Sequence, residues 1–169
     1  MGKSRLDSAF KFEFYKIDTF SFRSANMVDV VEFTGVINPE EWKVAYAFRD
    51  PIYFEKLNKY IGGLDIQLKL YAETNDAEAE TSACEEDDTI KEILHLEAGI
   101  VGTFALGENS FSESQIENLV TLQIPSILMP YLRAAVSSFL CSGGWLNAPL
   151  PLLNVYEMAK HADITIRKQ

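Results

Sequence analysis

Residues 124–158 read IPSILMPYLRAAVSSFLCSGGWLNAPLPLLNVYEM, and from Ile124 to Cys141 the only formal charge is Arg133. Pro125 suits the first turn of a helix, where its missing N–H costs nothing. Gly143-Gly144 suits the end, because glycine accepts the left-handed backbone that closes a helix. Pro130 removes the bond to the Ser126 carbonyl and predicts a kink. A surface helix carries charge on the face turned from its core, so one that is apolar or small all round must be covered on more than one side. One small sheet covers only one. Beyond the glycines, Pro149 and Pro151 favour an extended tail, and a last short helix is expected over about 155–162.

Upstream of this helix the chain reads as strands. Phe10, Phe12 and Phe14 alternate with Lys11 and Glu13, and Phe20 and Phe22 resume the alternation. Ile17 has the opposite parity, which predicts a bulge near Tyr15–Asp18. Residues 28–36 are β-rich without a steady parity. Trp42, Val44, Tyr46 and Phe48 form a second alternating run, which Pro51 is expected to end. The stretch 51–59 then reads as a connection that carries Ile52, Tyr53 and Phe54. Leu64, Ile66, Leu68, Leu70 and Ala72 give the clearest alternation, with a wet opposite face. Leu94, Leu96, Ala98, Ile100, Phe104 and Leu106 give another, in which Gly99 and Gly102 mark bending or a close backbone approach. Ser112 and Gln115 have capping-box spacing, and Phe111 with Ile116 fits a hydrophobic staple, so a short helix should start near Glu113. The expected class is α+β: a four-stranded antiparallel sheet packed on a long C-terminal helix, with short helices besides, in one domain over residues 1–169.

Composition narrows the function. The 169 residues are 47% hydrophobic and 12% aromatic, enough for one core. A formal charge of −10 with no Lys/Arg cluster argues against nucleic acid and anionic membranes. Most of that acidity lies in one run, Glu73 to Asp88, which reads as a solvated, mobile hairpin loop. Pro125, Pro130 and Arg133 argue against membrane insertion of the apolar helix. No signal peptide is readable, and Cys84 and Cys141 make no disulfide framework, so the expected location is cytoplasmic.

Catalytic patterns are missing. Neither HExxH nor CxxC occurs, and Gly62-Gly63 opens a strand rather than a helix, unlike a dinucleotide fingerprint. His95 shares a polar strand face with Glu97 and reads as hydrogen-bonded rather than catalytic; His161 reads as surface. Arg133 must find a carboxylate, a carbonyl or water. The sequence therefore predicts a non-enzyme with no metal and no cofactor.

The uncharged helix instead predicts association with further copies of the chain. Ile127, Leu128, Tyr131, Leu132 and Ala135 are the expected oligomer contacts. Trp145, Leu150, Leu152, Leu153, Val155 and Tyr156 are too many large apolar groups for a segment that merely closes the chain. With Ile52, Tyr53 and Phe54 they are expected to line one trough. Ile127-Leu128-Met129-Pro130-Tyr131-Leu132-Arg133, Gly143-Gly144-Trp145 and Pro151-Leu152-Leu153-Asn154-Val155 resemble the C-terminal signature of the SecB family of export chaperones. That resemblance implies homotetramers, dimers of dimers, with first strands paired edge to edge and long helices sandwiched between sheets. It implies an ATP-independent holdase whose hydrophobic groove, at the positions just named, takes unfolded polypeptide clients. The chain departs from the family in Pro149-Leu150-Pro151-Leu152 and in Val155, and DITIRKQ lacks the long polar tail that contacts the motor SecA. Hand-off to SecA is thus doubtful, and a branch that protects an antitoxin fits as well as export. The alternatives are a small hydrophobic-ligand carrier or hot-dog-like thioesterase, and an adaptor that docks a partner on the acidic loop.

Overall fold

The computed structural model describes residues 10–25, 42–73, 90–107, 111–145, 150 and 152–169. The expectations for 28–36, for most of the acidic run and for the extended course at Pro149 and Pro151 lie outside them. Strands β1 (Phe10–Ser24), β2 (Trp42–Phe54), β3 (Lys59–Glu73) and β4 (Ile90–Leu106) precede helix α1 (Glu113–Asn118). A π-helical stretch, Leu119–Gln123, leads into α2 (Ile124–Ser142), then α3 (Val155–Lys160) and a two-residue β5 (Arg167–Lys168). The sheet order is β1-β4-β3-β2-β5, antiparallel except for the β2·β5 pair. The sheet is therefore mixed and five-stranded, not four-stranded. Two residues of β5 are too few to show a period of two.

Bulges decide which side chains meet the helix. In β1 the register slips once between Phe12 and Phe14 and again between Ile17 and Thr19. Each slip inserts one residue and inverts the alternation after it. The inward set is consequently Phe10, Phe12, Tyr15, Ile17, Phe20 and Phe22. Phe14, assigned by plain alternation to the inward set, is 63% exposed. The inward rings meet α2: Tyr15 and Phe12 lie 4.5 and 5.4 Å from Tyr131, and Phe20 and Phe22 lie 4.6 and 4.9 Å from Phe139. A third slip, between Arg49 and Ile52, carries β2 past Pro51 to Phe54. Pro51 does not end the strand, because a bulge needs no ladder N–H from it.

The core lies between the sheet and α2. Leu64, Ile66, Leu68, Leu70, Leu96, Ile100 and Phe104 bury against Ile124, Leu128, Leu132, Val136 and Leu140. Gly62 and Gly102, paired across β3 and β4, form the seat of the helix. A Cβ at Gly102 would stand 2.7 Å from Leu128 Cδ2, and one at Gly62 would stand 2.9 Å from Ile124 Cγ2. The continuous helix Glu113–Ser142 meets the length and composition of a membrane span, and one side of it is spent on this core.

On the opposite face of the sheet Arg49 reaches from β2 to Asp65 on β3 and, at 2.6 Å, to Asp18 in the second bulge of β1. It passes over Gly99, where any Cβ would collide with the guanidinium and with Asp65. One side chain thereby ties both outer long strands across the two central ones. Gln67 donates to Glu97 at 2.7 Å, His95 lies 3.2 Å from the same carboxylate, and Lys43 sits over the Tyr71 ring.

Candidate client-binding groove

The helix ends and the tail begins through local backbone chemistry. Gly144 takes φ +89°, and the Trp145 N–H returns to the Leu140 carbonyl at 2.9 Å. Trp145 thus folds back and packs, partly buried, against the core. The Arg133 guanidinium donates to the Leu150 carbonyl at 2.9 Å, the carbonyl partner a charge in this helix required. Leu150 itself is buried. Asn154 caps α3, its side chain accepting from the Glu157 N–H at 3.2 Å. Val155 and Ala159 then bury.

These anchors leave Leu152 92% exposed, with Leu153 and Tyr156 also outward. With Val155 and Asn154 they face Ser126, Met129, Pro130 and Arg133 of α2 across an open hollow of about 530 Å³. Six large apolar groups were expected here: Leu152, Leu153, Val155 and Tyr156 line the hollow, whereas Leu150 is buried and tied to it only through Arg133, and Trp145 packs on the core beside Leu140 and lines no part of it. Arg133 holds the wall through Leu150, and burial pushes the neighbouring Tyr46 phenol up, an effect the Arg133 charge partly offsets.

Ile52, Tyr53 and Phe54 do not join that hollow. Tyr53 stacks on buried Tyr60 with centroids 4.6 Å apart, and its hydroxyl donates to Asn58 at 3.1 Å. Together they line a second hollow of about 570 Å³ with Leu106, Ile116, Ile164 and Ile166. Ile52 and Phe54 are half-buried in the strand and line neither hollow. Plain alternation of Ile164 and Ile166 was the signal that could have found the second one.

Of the expected oligomer contacts, Leu128 and Leu132 have no exposed surface in the protomer. Ile127 and Ala135 are half-buried, and Tyr131 is 39% exposed beside β1. The uncovered stripe of α2 runs instead through Pro130, Ala134, Ser137 and Cys141, none of them charged. Among the described residues no group of three His, Cys, Asp or Glu is placed to hold a metal.

No protein-family model matches the chain. It is 27% identical over 111 residues to the protein-export protein SecB of two Orientia tsutsugamushi strains, Ikeda and Boryong. Those matches cover 63% of this chain and 64% and 66% of the two relatives, less than two thirds of their length. In fold it is similar to a Mycobacterium tuberculosis SecB-like chaperone solved with a ChAD peptide from the HigA1 antitoxin. There the TM-score is 0.51 at 11% identity, over 89% of this chain and 92% of that one. The chain is thus similar in sequence to SecB over part of its length and shares its fold with a SecB-like chaperone.

Proposed function

We propose that the chain is an ATP-independent chaperone that holds unfolded polypeptides through the hollow between α2 and residues 152–156. The observation that carries this reading is the outward Leu152, Leu153 and Tyr156 around a mainly apolar recess. Burying one client Leu or Phe is worth roughly 1.5–3 kcal/mol, so a few such contacts hold a chain without a defined sequence. Copies of the recess on one oligomer multiply that hold through effective concentration. The similarity to SecB, and the peptide bound by the mycobacterial SecB-like chaperone, support the same reading.

The working assembly in this proposal is a cytoplasmic dimer of dimers. The open edge of β1, which has no second strand neighbour among the described residues, and the uncharged α2 stripe both favour it. Clients are unfolded or non-native chains, in export or in antitoxin protection, and the proposal needs neither SecA nor nucleotide.

The test is aggregation of a denatured client without nucleotide, wild type against Leu152→Ala with Leu153→Ala. Wild type should suppress aggregation, and the double variant should lose at least half of that suppression at unchanged oligomer mass. Equal suppression by both would remove this hollow from the site. No suppression by either would favour the ligand-carrier or adaptor reading.

A further inference from the structure

One wall of the second hollow is a short segment of the chain itself, residues 164–169, laid along the β2 edge. Arg167 and Lys168 pair in parallel with Ile52 and Tyr53. The Gln169 N–H donates to the Tyr53 carbonyl at 2.9 Å, and the Glu55 N–H donates to the Gln169 carbonyl at 3.3 Å. Asp50, in the β2 bulge, accepts from the Thr165 N–H at 3.1 Å and from the Arg167 guanidinium at 2.7 and 3.1 Å. Ile164, Thr165, Ile166 and Lys168 form one wall, opposite Tyr53, Tyr60 and Leu106, and α1 contributes Ile116 between Glu113 and Glu117. Main-chain pairing to a sheet edge, alternate apolar side chains beside a hollow and an arginine on a carboxylate are the means by which proteins bind extended peptides.

The hold is light. Pairing spans two residues, and the Arg167 side chain is 70% exposed where it meets Asp50. We propose that residues 164–169 are a displaceable occupant, and that an extended peptide of the pattern apolar-x-apolar-Arg-Lys adds to the β2 edge in their place. Its apolar residues enter the Tyr53–Ile116 hollow and its arginine takes Asp50, with Glu113 and Glu117 adding to the attraction for basic segments. This rests on the polypeptide-binding reading above and names the class of segment that this part of the surface selects.

A tethered occupant competes at an effective concentration in about the millimolar range, so the wild-type site is masked. The probe is a fluorescein-labelled peptide of sequence ITIRKQ, titrated by anisotropy against the full chain. Arg167→Glu weakens the chain's own segment and leaves the site intact. It should raise the affinity for the peptide at least ten-fold over wild type, while Thr165 and Gln169 amide exchange quickens. Adding Asp50→Ala should abolish the gain. The proposal is overturned if Arg167→Glu frees the segment by exchange yet binds no tighter, if exchange is unchanged, or if Asp50→Ala leaves the gain intact. A chain that suppresses no client aggregation refutes the holdase reading separately, since the titration is read without any client.

Discussion

Gly102→Ala should destabilise the fold even though alanine suits a strand better than glycine does. The added methyl would stand 2.7 Å from Leu128 Cδ2 and 3.0 Å from Phe104 Cε2. Ordinary contact begins at 3.4 Å, so Leu128 would have to retreat by roughly 0.7 Å, and contact energies turn steeply repulsive over such a distance. Leu128 is fully buried and has no open side to retreat into. Overpacking of this kind costs about 1–3 kcal/mol, against about 0.5–1 kcal/mol gained by replacing an interior glycine, so the net loss reaches up to about 2.5 kcal/mol. Leu128→Ala alone should cost about 2–5 kcal/mol. In the double variant the new methyl enters the space the leucine vacates, so the losses should fall short of their sum by about 1–2 kcal/mol. Urea midpoints at one fixed protein concentration measure all four corners of the cycle. Losses that add to within about 0.5 kcal/mol would refute the claim that Gly102 seats α2.

Arg49→Gln should lower the urea midpoint at neutral pH. Its hydrogen bond holds the Asp18 carboxyl below the ordinary value of 3.8, so this stabilisation is present above 3.8 and is lost as pH falls through the folded value. The wild-type and variant midpoints should therefore converge in acid, and a constant gap would refute the pairing. Tyr46→Phe should be neutral or stabilise by up to about 1 kcal/mol in thermal unfolding, since the Tyr46 hydroxyl is buried without a hydrogen-bond partner among the described residues. Ser112→Ala removes the cap that accepts from the Gln115 N–H at 3.3 Å and should cost about 0.5–2 kcal/mol, with faster amide exchange confined to α1.

Elements with a regular period were legible in the sequence. β3 from Leu64 to Leu70 and β4 from Leu94 to Phe104 keep the expected inward set, the Ser112–Gln115 capping box opens α1, and Gly143-Gly144 closes α2 where expected. A period does not survive along a whole strand, and there plain alternation misleads. Phe14 turns outward and Tyr15 inward because Glu13, a charged residue where plain alternation also puts one, shifts the register without any mark of its own, whereas the slip at Asp18 was announced by the parity of Ile17. Nor does the helix need a second chain for every apolar side. β1 covers one of those sides with aromatic rings, and the uncovered remainder is small rather than greasy. For the candidate site, the crowding of leucines after Gly144 was visible. That Leu150 and Trp145 face inward while Tyr53 serves a different hollow depends on an Arg133–carbonyl bond and a β2 bulge that no local pattern announces.

The two slips in β1 make that strand a sentence in three frames. With both bulges kept, losing one paired residue between Phe14 and Ile17 would transpose every later position of the strand, sending one set of rings to water and its polar neighbours under the helix, whereas losing Glu13 or Asp18 would only close a bulge and leave the later faces as they are. A compensating insertion before Thr19 would restore sense to Phe20 and Phe22 but leave the intervening words inverted. Length changes in this strand are thus tolerable at its two unpaired residues or in matched pairs, a grammar stricter than its loosely alternating letters suggest.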